Sequence, residues 1–441
     1  MSLRRLAALC LFVAVAHFFD GRGSAQNAVP PAAESPHGLT NYLARTLKVQ
    51  GSVRARWESG QGSDFALTPA GSYVLTRIRL GVAFQPASWL SFYAEGQDAR
   101  AEFYKVTPAA SLADPMDFRQ AYVQAGKLKG NGVRIRVGRQ ELTLGAGRLV
   151  GTGDWSNVTK TFEIVRATIT TSQLKLDVLG GSPLLYDVNR MDRHKPGEHF
   201  YVAYATIGKL IKDGQIEPYF MARTALNVKG KDGVSGHQQT LIGGLRLVGK
   251  LPGGFDYAGE AAREGGAYGN DTVQAFGYVA GGGWTAPHGP WRLHPNSDFL
   301  WASGDDGRKD GHHQAFDFLY GLNQPQNGLA GLYAWRNIGQ WRAGADFHPA
   351  NRWTVKANFR DVWLATTQDG LYNSGNVRTV FDNKATGNHV GEGVDAQFTW
   401  TPTRKNTLEM GVGSLVPGSY LKQAGKTSGF VYTFFTYTRA I

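Results

Sequence analysis

Between Val133 and Val137 apolar and charged residues alternate one for one, with Val133, Ile135 and Val137 set against Arg134 and Arg136. Successive side chains of a strand point to opposite faces of a sheet, so the aliphatics go one way and the guanidinium groups the other. In a soluble sandwich the arginine row would be buried at high cost. In a barrel standing in lipid, the aliphatic face meets hydrocarbon and the arginines meet a watery lumen. The stretch therefore asks for a fold that is polar inside and apolar outside.

The rest of the chain repeats the pattern. From 47 onward, segments of about ten residues alternate apolar and polar, the length of tilted membrane strands. About 18 of them run from 47–58 to 428–439, which predicts an all-β, antiparallel transmembrane barrel over 47–441. Short turns carrying Pro, Gly, Asn or Lys follow the even-numbered segments: Gln85-Pro86-Ala87-Ser88, Lys129-Gly130-Asn131, Lys212-Asp213-Gly214 and His348-Pro349-Ala350-Asn351. Longer polar, Gly-rich stretches follow the odd-numbered ones, the longest over about 304–336 and 366–392. That parity is the pattern of tight periplasmic turns and long extracellular loops. Trp89, Trp291 and Trp353 each follow a short turn, where an interfacial girdle belongs. The last segment, Phe430 to Tyr437, resembles the aromatic-rich final strand read by barrel-insertion machinery, although the chain ends Arg439-Ala440-Ile441.

Residues 1–25 read as a secretory signal peptide. Arg4 and Arg5 begin it, Leu6 to Phe19 form an apolar core too short to span a bilayer, and Gly23-Ser24-Ala25 offers a cleavage site. Residues 26–46 read as a flexible lead-in, rich at first in Pro, Ala and Ser. The single cysteine, Cys10, falls in the leader, which excludes cysteine-zinc sites and disulfides from the mature chain.

The net charge of +12 calls for an anionic partner. Nucleic acid is disfavoured, because the basic residues are spread singly along strands rather than clustered, and no binding motif accompanies them. Phase puts Arg54, Arg56, Arg77, Arg79, Arg134, Arg136, Arg166, Arg246, Arg342, Lys356 and Arg360 on the polar, inward side. Glu58, Glu95, Asp177, Glu260, Asp346 and Asp395 share that side in smaller number. A barrel of this size encloses an aqueous channel rather than a filled core, and a ring of guanidinium groups would make it attract anions. The opposite reading is that these arginines pair with the acids and merely pack the wall. Arg119 resists assignment, since simple alternation places it with Ala121, Val123 and Ala125 on the lipid face.

No catalytic residue or cofactor is nominated. The run Gly145-Ala146-Gly147-Arg148-Leu149-Val150-Gly151 is one residue too long for a dinucleotide fingerprint and opens no amphipathic helix. Asp305, Asp306 and Asp310 form a weak calcium candidate without the spacing of an EF-hand loop. His312 and His313 are adjacent, not i, i+4, and no Gly-x-Ser-x-Gly elbow occurs.

Several blocks are similar to the alginate-export porins of Gram-negative outer membranes: Asp117-Phe118-Arg119-Gln120-Ala121-Tyr122-Val123, Val137-Gly138-Arg139-Gln140-Glu141-Leu142, Gly147-Arg148-Leu149-Val150-Gly151 and Asp154-Trp155-Ser156-Asn157-Val158. Phe162-Glu163-Ile164-Val165-Arg166, Ala302-Ser303-Gly304-Asp305 and Trp335-Arg336-Asn337-Ile338 add further landmarks. The resemblance implies a monomeric outer-membrane barrel in outer-membrane lipid. Its strongly positive pore would pass an anionic polysaccharide or oligosaccharide and could be served by a periplasmic polysaccharide-secretion scaffold. It adds Arg119, Arg139, Arg148 and Arg166 as pore or loop-contact residues. A barrel-embedded hydrolase and a structural or adhesive barrel with a blocked lumen stand as alternatives.

Overall fold

Alternation builds the wall one hairpin at a time. The computed structural model describes residues 37–441 apart from 63–64, 66–70, 106–107, 231–232, 290 and 325. The first wall strands are β1 (Leu47–Gln61), β2 (Gly71–Ala87), β3 (Leu90–Glu102), β4 (Asp114–Gly126) and β5 (Gly132–Gln140). They continue as β6 (Phe162–Thr170), β7 (Leu174–Leu185), β8 (Glu198–Gly208), β9 (Gly214–Lys229) and β10 (Ser235–Lys250). Next come β11 (Phe255–Tyr268), β12 (Ala275–Trp284), β13 (His294–Ala302) and β14 (Ile338–Phe347). β15 (Trp353–Leu364), β16 (His389–Thr403), β17 (Asn406–Pro417) and β18 (Phe430–Ala440) complete it. Each strand pairs antiparallel with the next, and β18 returns to β1 from Ser52↔Ala440 to Gln61↔Val431. The result is a closed 18-strand antiparallel barrel with no free edge in its wall.

The expected phase holds along most strands. Val133, Ile135 and Val137 are 52%, 47% and 47% exposed on the outer surface, while Arg134 and Arg136 are half-buried on the other face. Trp89, Trp291 and Trp353 are exposed at the short-turn end, as a girdle requires. Parity of the connections has exceptions. The connection 230–234 is short although it lies at the long-loop end, and 285–293 is long for a turn. Within the stretch expected to be flexible, a helix, α1 (His37–Thr46), is formed, with Arg45 favourably placed in its last turn. The expected leader, 1–25, lies outside the described residues.

The lumen departs from the open channel that the strand count suggested. The connection 141–161 (β5 to β6) and the connection 303–337 (β13 to β14) carry a buried apolar cluster: Leu142, Leu144, Leu149, Val150, Phe316, Phe318, Tyr320, Tyr333 and Trp335. It packs on inward wall residues, with Tyr320 against Phe162 and Phe200 at ring distances of 5.5 and 5.2 Å. The two loops also pair through their backbones: Tyr320 N donates to Leu149 O at 2.9 Å and Leu322 N to Gly147 O at 2.8 Å. Loop segments lack the two-residue period that reveals strands, so periodicity carries no sign that these fold inward.

Candidate functional site

Four of the expected pore arginines hold one loop. Arg54 donates to Asp154 O at 2.6 Å, and to Ser156 O and Asn157 Oδ1 at 3.1 Å each. Arg56 donates to Trp155 O at 2.5 Å, lies 5.1 Å from that indole's centroid, and pairs with Glu58 at 2.6 Å. Arg77 and Arg79 meet the Asp154 carboxylate at 2.8 and 2.9 Å. Burial works against the Asp154 charge, but Arg77, Arg79 and Arg54 outweigh it and hold the carboxyl well below the usual carboxylate range. Asn157 completes the anchor, its amide donating to Thr76 O, Arg100 O and Leu112 O. The Asp154–Val158 block is thus a docked plug segment, and these arginines are mostly occupied in docking it.

Most of the others are paired across the wall. Arg166 meets Asp177 at 2.8 Å, Arg246 meets Glu217 at 2.5 Å, Arg342 meets Asp298 at 2.7 Å and Lys356 meets Asp346 at 3.5 Å. Arg360 pairs with Asp395, both buried. Arg139 bridges β4, β6 and the connection 186–197, bonding Asp117 at 3.2 Å, Glu163 at 3.0 Å and Asp192 O at 2.7 Å. Arg134 and Arg136 have no acid partner among the described residues. Arg134 donates to Leu128 O at 3.5 Å, and Arg136 bonds Gln124 while stacking 4.3 Å over Tyr122.

Simple alternation is wrong for Arg119. Gly96 pairs with Phe118 but Glu95 with Gln120, so β4 carries one extra residue there. The bulge turns Arg119 and Gln120 both away from lipid. Arg119 is 7% exposed and bonds Glu95 at 2.7 Å, Thr159 at 3.0 Å and Glu141.

The packed loops divide the lumen into chambers. At the short-turn end, a cavity of about 370 Å³ is lined by Arg148, Arg246, Arg342, Lys356 and Arg360 against Asp256, Glu260, Asp298, Asp346 and Asp395. Charge there is balanced, yet Arg148, half-buried on the inserted loop, makes no hydrogen bond or ion pair among the described residues. At the long-loop end a cavity of about 730 Å³ is lined by Lys195, Arg223, Arg336 and Arg378 with Glu198, Glu264 and Asp317. Arg223 was missed in the sequence. It bonds Glu198 at 2.9 Å and Asp317 at 2.8 Å, and its alternation with Tyr219 and Met221 could have revealed it.

The declined motifs have structural explanations. Leu322 sits in a socket of glycines: an added Cβ at Gly147, Gly151 or Gly153 would stand 2.7, 2.5 or 2.4 Å from its side chain. Gly147 and Gly153 also have φ of 73° and 52°, a region that other residues rarely enter. The calcium candidate Asp305, Asp306 and Asp310 does not converge. Their carboxylates accept the N–H of Gly307, Arg308 and His312 at 2.8, 3.0 and 3.0 Å, closing local turns. Asn337 is a fully buried clamp, its amide reaching Thr366 O and Gly370 O at 3.0 Å each.

Solved structures share the architecture. The chain is similar to Pseudomonas aeruginosa OpdQ (TM-score 0.63, 11% identity, covering 90% of this chain and 98% of that one). It is similar also to OccK2 (OpdF) of the same organism, solved in complex with glucuronate (TM-score 0.60, 12% identity, 90% and 98% covered). OccK8 (OprE), again from Pseudomonas aeruginosa, gives a TM-score of 0.59 at 12% identity, with 90% and 98% covered. At such identities the likeness shows the fold alone. No curated protein matches the sequence. The model of the alginate export family matches residues 45–432, nearly the whole of the barrel just described, and the chain belongs to that family of outer-membrane channels.

Proposed function

We propose that the chain is an anion-preferring channel of the Gram-negative outer membrane that passes an alginate-like polysaccharide or uronate oligosaccharides. The observation that carries this reading is Arg148, a guanidinium without an ion partner among the described residues, placed where the inserted loop meets the 370 Å³ chamber. Paired arginines contribute little field beyond their partners. Among the described residues Arg134 and Arg136 meet no acid and supply positive charge that wall acids do not cancel, and Arg148 offers a guanidinium held in no direct ion pair. The family's cargo and the glucuronate in the similar OccK2 structure point to the same substrate class, a uronate. The test is the reversal potential in planar bilayers under a salt gradient. Chloride preference at low salt is expected, fading as screening shortens the field to about 3 Å at 1 M. Cation preference at low salt overturns the reading.

The hydrolase alternative meets one contact, Ser182 Oγ to His199 Nδ1 at 2.8 Å. No carboxylate bonds that imidazole among the described residues, and a nucleophile–base pair needs such an orienting group. The channel is the better reading.

A further inference from the structure

A second bulge lies near the start of β4. Gln97 pairs with Asp117 and Ala99 with Asp114, so two steps on β3 face three on β4. In a regular strand, residues three apart point to opposite faces. The extra residue, with Met116 at φ 54°, brings Asp114 and Asp117 to one side. The connection 186–197 lays Asp192 on them, its backbone N–H donating to Asp117 Oδ2. One carboxylate oxygen from each of the three lies within 4.8 Å of the others. Oxygens sharing one calcium ion at about 2.3–2.6 Å span about that distance.

All three residues are buried, but their partners differ. Asp117 takes hydrogen bonds from Arg139 at 3.2 Å and from Phe118 N, and Asp192 takes one from Asp187 N at 2.9 Å. Asp114 is 3% exposed, and among the described residues its carboxylate accepts no hydrogen bond and meets no cation at ion-pair distance. A carboxylate aimed at two others with no donor of its own is an arrangement that a cation would complete. Among the described residues Arg139 is the one basic side chain bonded to these carboxylates, so three acids face a single positive charge there.

We propose that Asp114, Asp117 and Asp192 hold one calcium ion, which latches the long-loop end of the barrel. The donors are hard carboxylate oxygens on irregular backbone, which suits calcium's flexible coordination better than zinc or an octahedral magnesium site. The latch reaches the inserted loop, because the residues just before Asp114 hold it. Ser111 O accepts Val158 N at 3.1 Å, and Leu112 O accepts the Asn157 amide at 2.9 Å. One ion would thereby fix the connections 103–113, 141–161 and 186–197 together.

The test uses the full chain refolded in detergent, free of lipopolysaccharide and stripped with chelator. Equilibrium dialysis with radioactive calcium should find one ion per chain, with a Kd of about 10⁻⁴–10⁻³ M as in extracellular calcium modules. Asp114→Asn and Asp192→Asn should lose it at about 5 mM calcium. Asp305→Asn/Asp306→Asn, in the other acidic loop, should keep it. No stoichiometric binding by the unaltered chain, retention by both site variants, or loss in the Asp305/Asp306 variant overturns the proposal. If the site variants fail to fold, hydrogen exchange of the unaltered chain decides. Calcium must slow exchange in 103–113 and 186–197, and its failure to do so overturns the latch.

Discussion

Val150 and Tyr320 form an isolated parallel bridge between two loops that enter the lumen from different parts of the wall. The bridge makes the narrowing a loop-on-loop contact, and Leu322 in its glycine socket secures the register. Gly147→Val adds a branched side chain where φ is 73° and Leu322 already fills the space. Overpacking of this kind costs about 1–3 kcal/mol. The wall should still fold and migrate heat-modifiably, while single-channel conductance rises severalfold. Unchanged conductance would mean that the two loops do not form the constriction.

Arg134 and Arg136 face inward without an acid partner among the described residues, and Ile135 between them faces out. Arg134→Glu/Arg136→Glu should therefore leave the barrel folded but lower anion selectivity and the block by uronate oligomers. Ile135→Arg should impair assembly instead, since an arginine facing lipid is destabilising, by roughly 2–4 kcal/mol at the midplane and less toward the interface. Reversal potentials and the folded fraction on unheated gels check both. The opposite pattern would invert the phase of β5.

Asp154 gathers Arg54, Arg77 and Arg79. Asp154→Asn removes the charge that satisfies them, so their field reaches the lumen. Anion selectivity should increase in this variant and fall in Arg77→Gln. If both variants move the reversal potential the same way, the loop anchor does not mask these arginines.

Lys160 Nζ donates to Gly321 O at 2.8 Å, tying one inserted loop to the other, and burial pulls its ammonium down from 10.5 to about 8. Below about 8 the lysine is charged in both docked and undocked loops. Between there and its ordinary value the undocked form holds the extra proton, so docking strengthens as pH rises. Conductance should fall over that window, and Lys160→Met should flatten the profile. A conductance that rises with pH in the unaltered chain contradicts the assignment.

The wall was legible because lipid imposes a rule on every second residue, and Val133 to Val137 shows it without ambiguity. Strand phase failed at Arg119 because a bulge adds a residue without changing composition. For the arginines, alternation gives only a face. Whether Arg166 meets Asp177 or solvent depends on register between strands, which no single segment encodes. The plug was hidden for another reason. Leu149, Phe318 and Tyr320 lie in aperiodic loops, and their burial follows from long-range contacts.

The two bulges in β4 make that strand go out of step with itself. Between Asp114 and Ala121 the rhythm of outside and inside breaks twice, and Phe118 and Ala121, three apart, are both exposed. A labelling scan along β4 with single introduced thiols would return a helix-like spacing from a strand. Read without the register, it would be mistaken for a helix. A mutational tolerance map would err the same way, marking Arg119 and Gln120 as a pair of consecutive sensitive sites in an otherwise alternating wall.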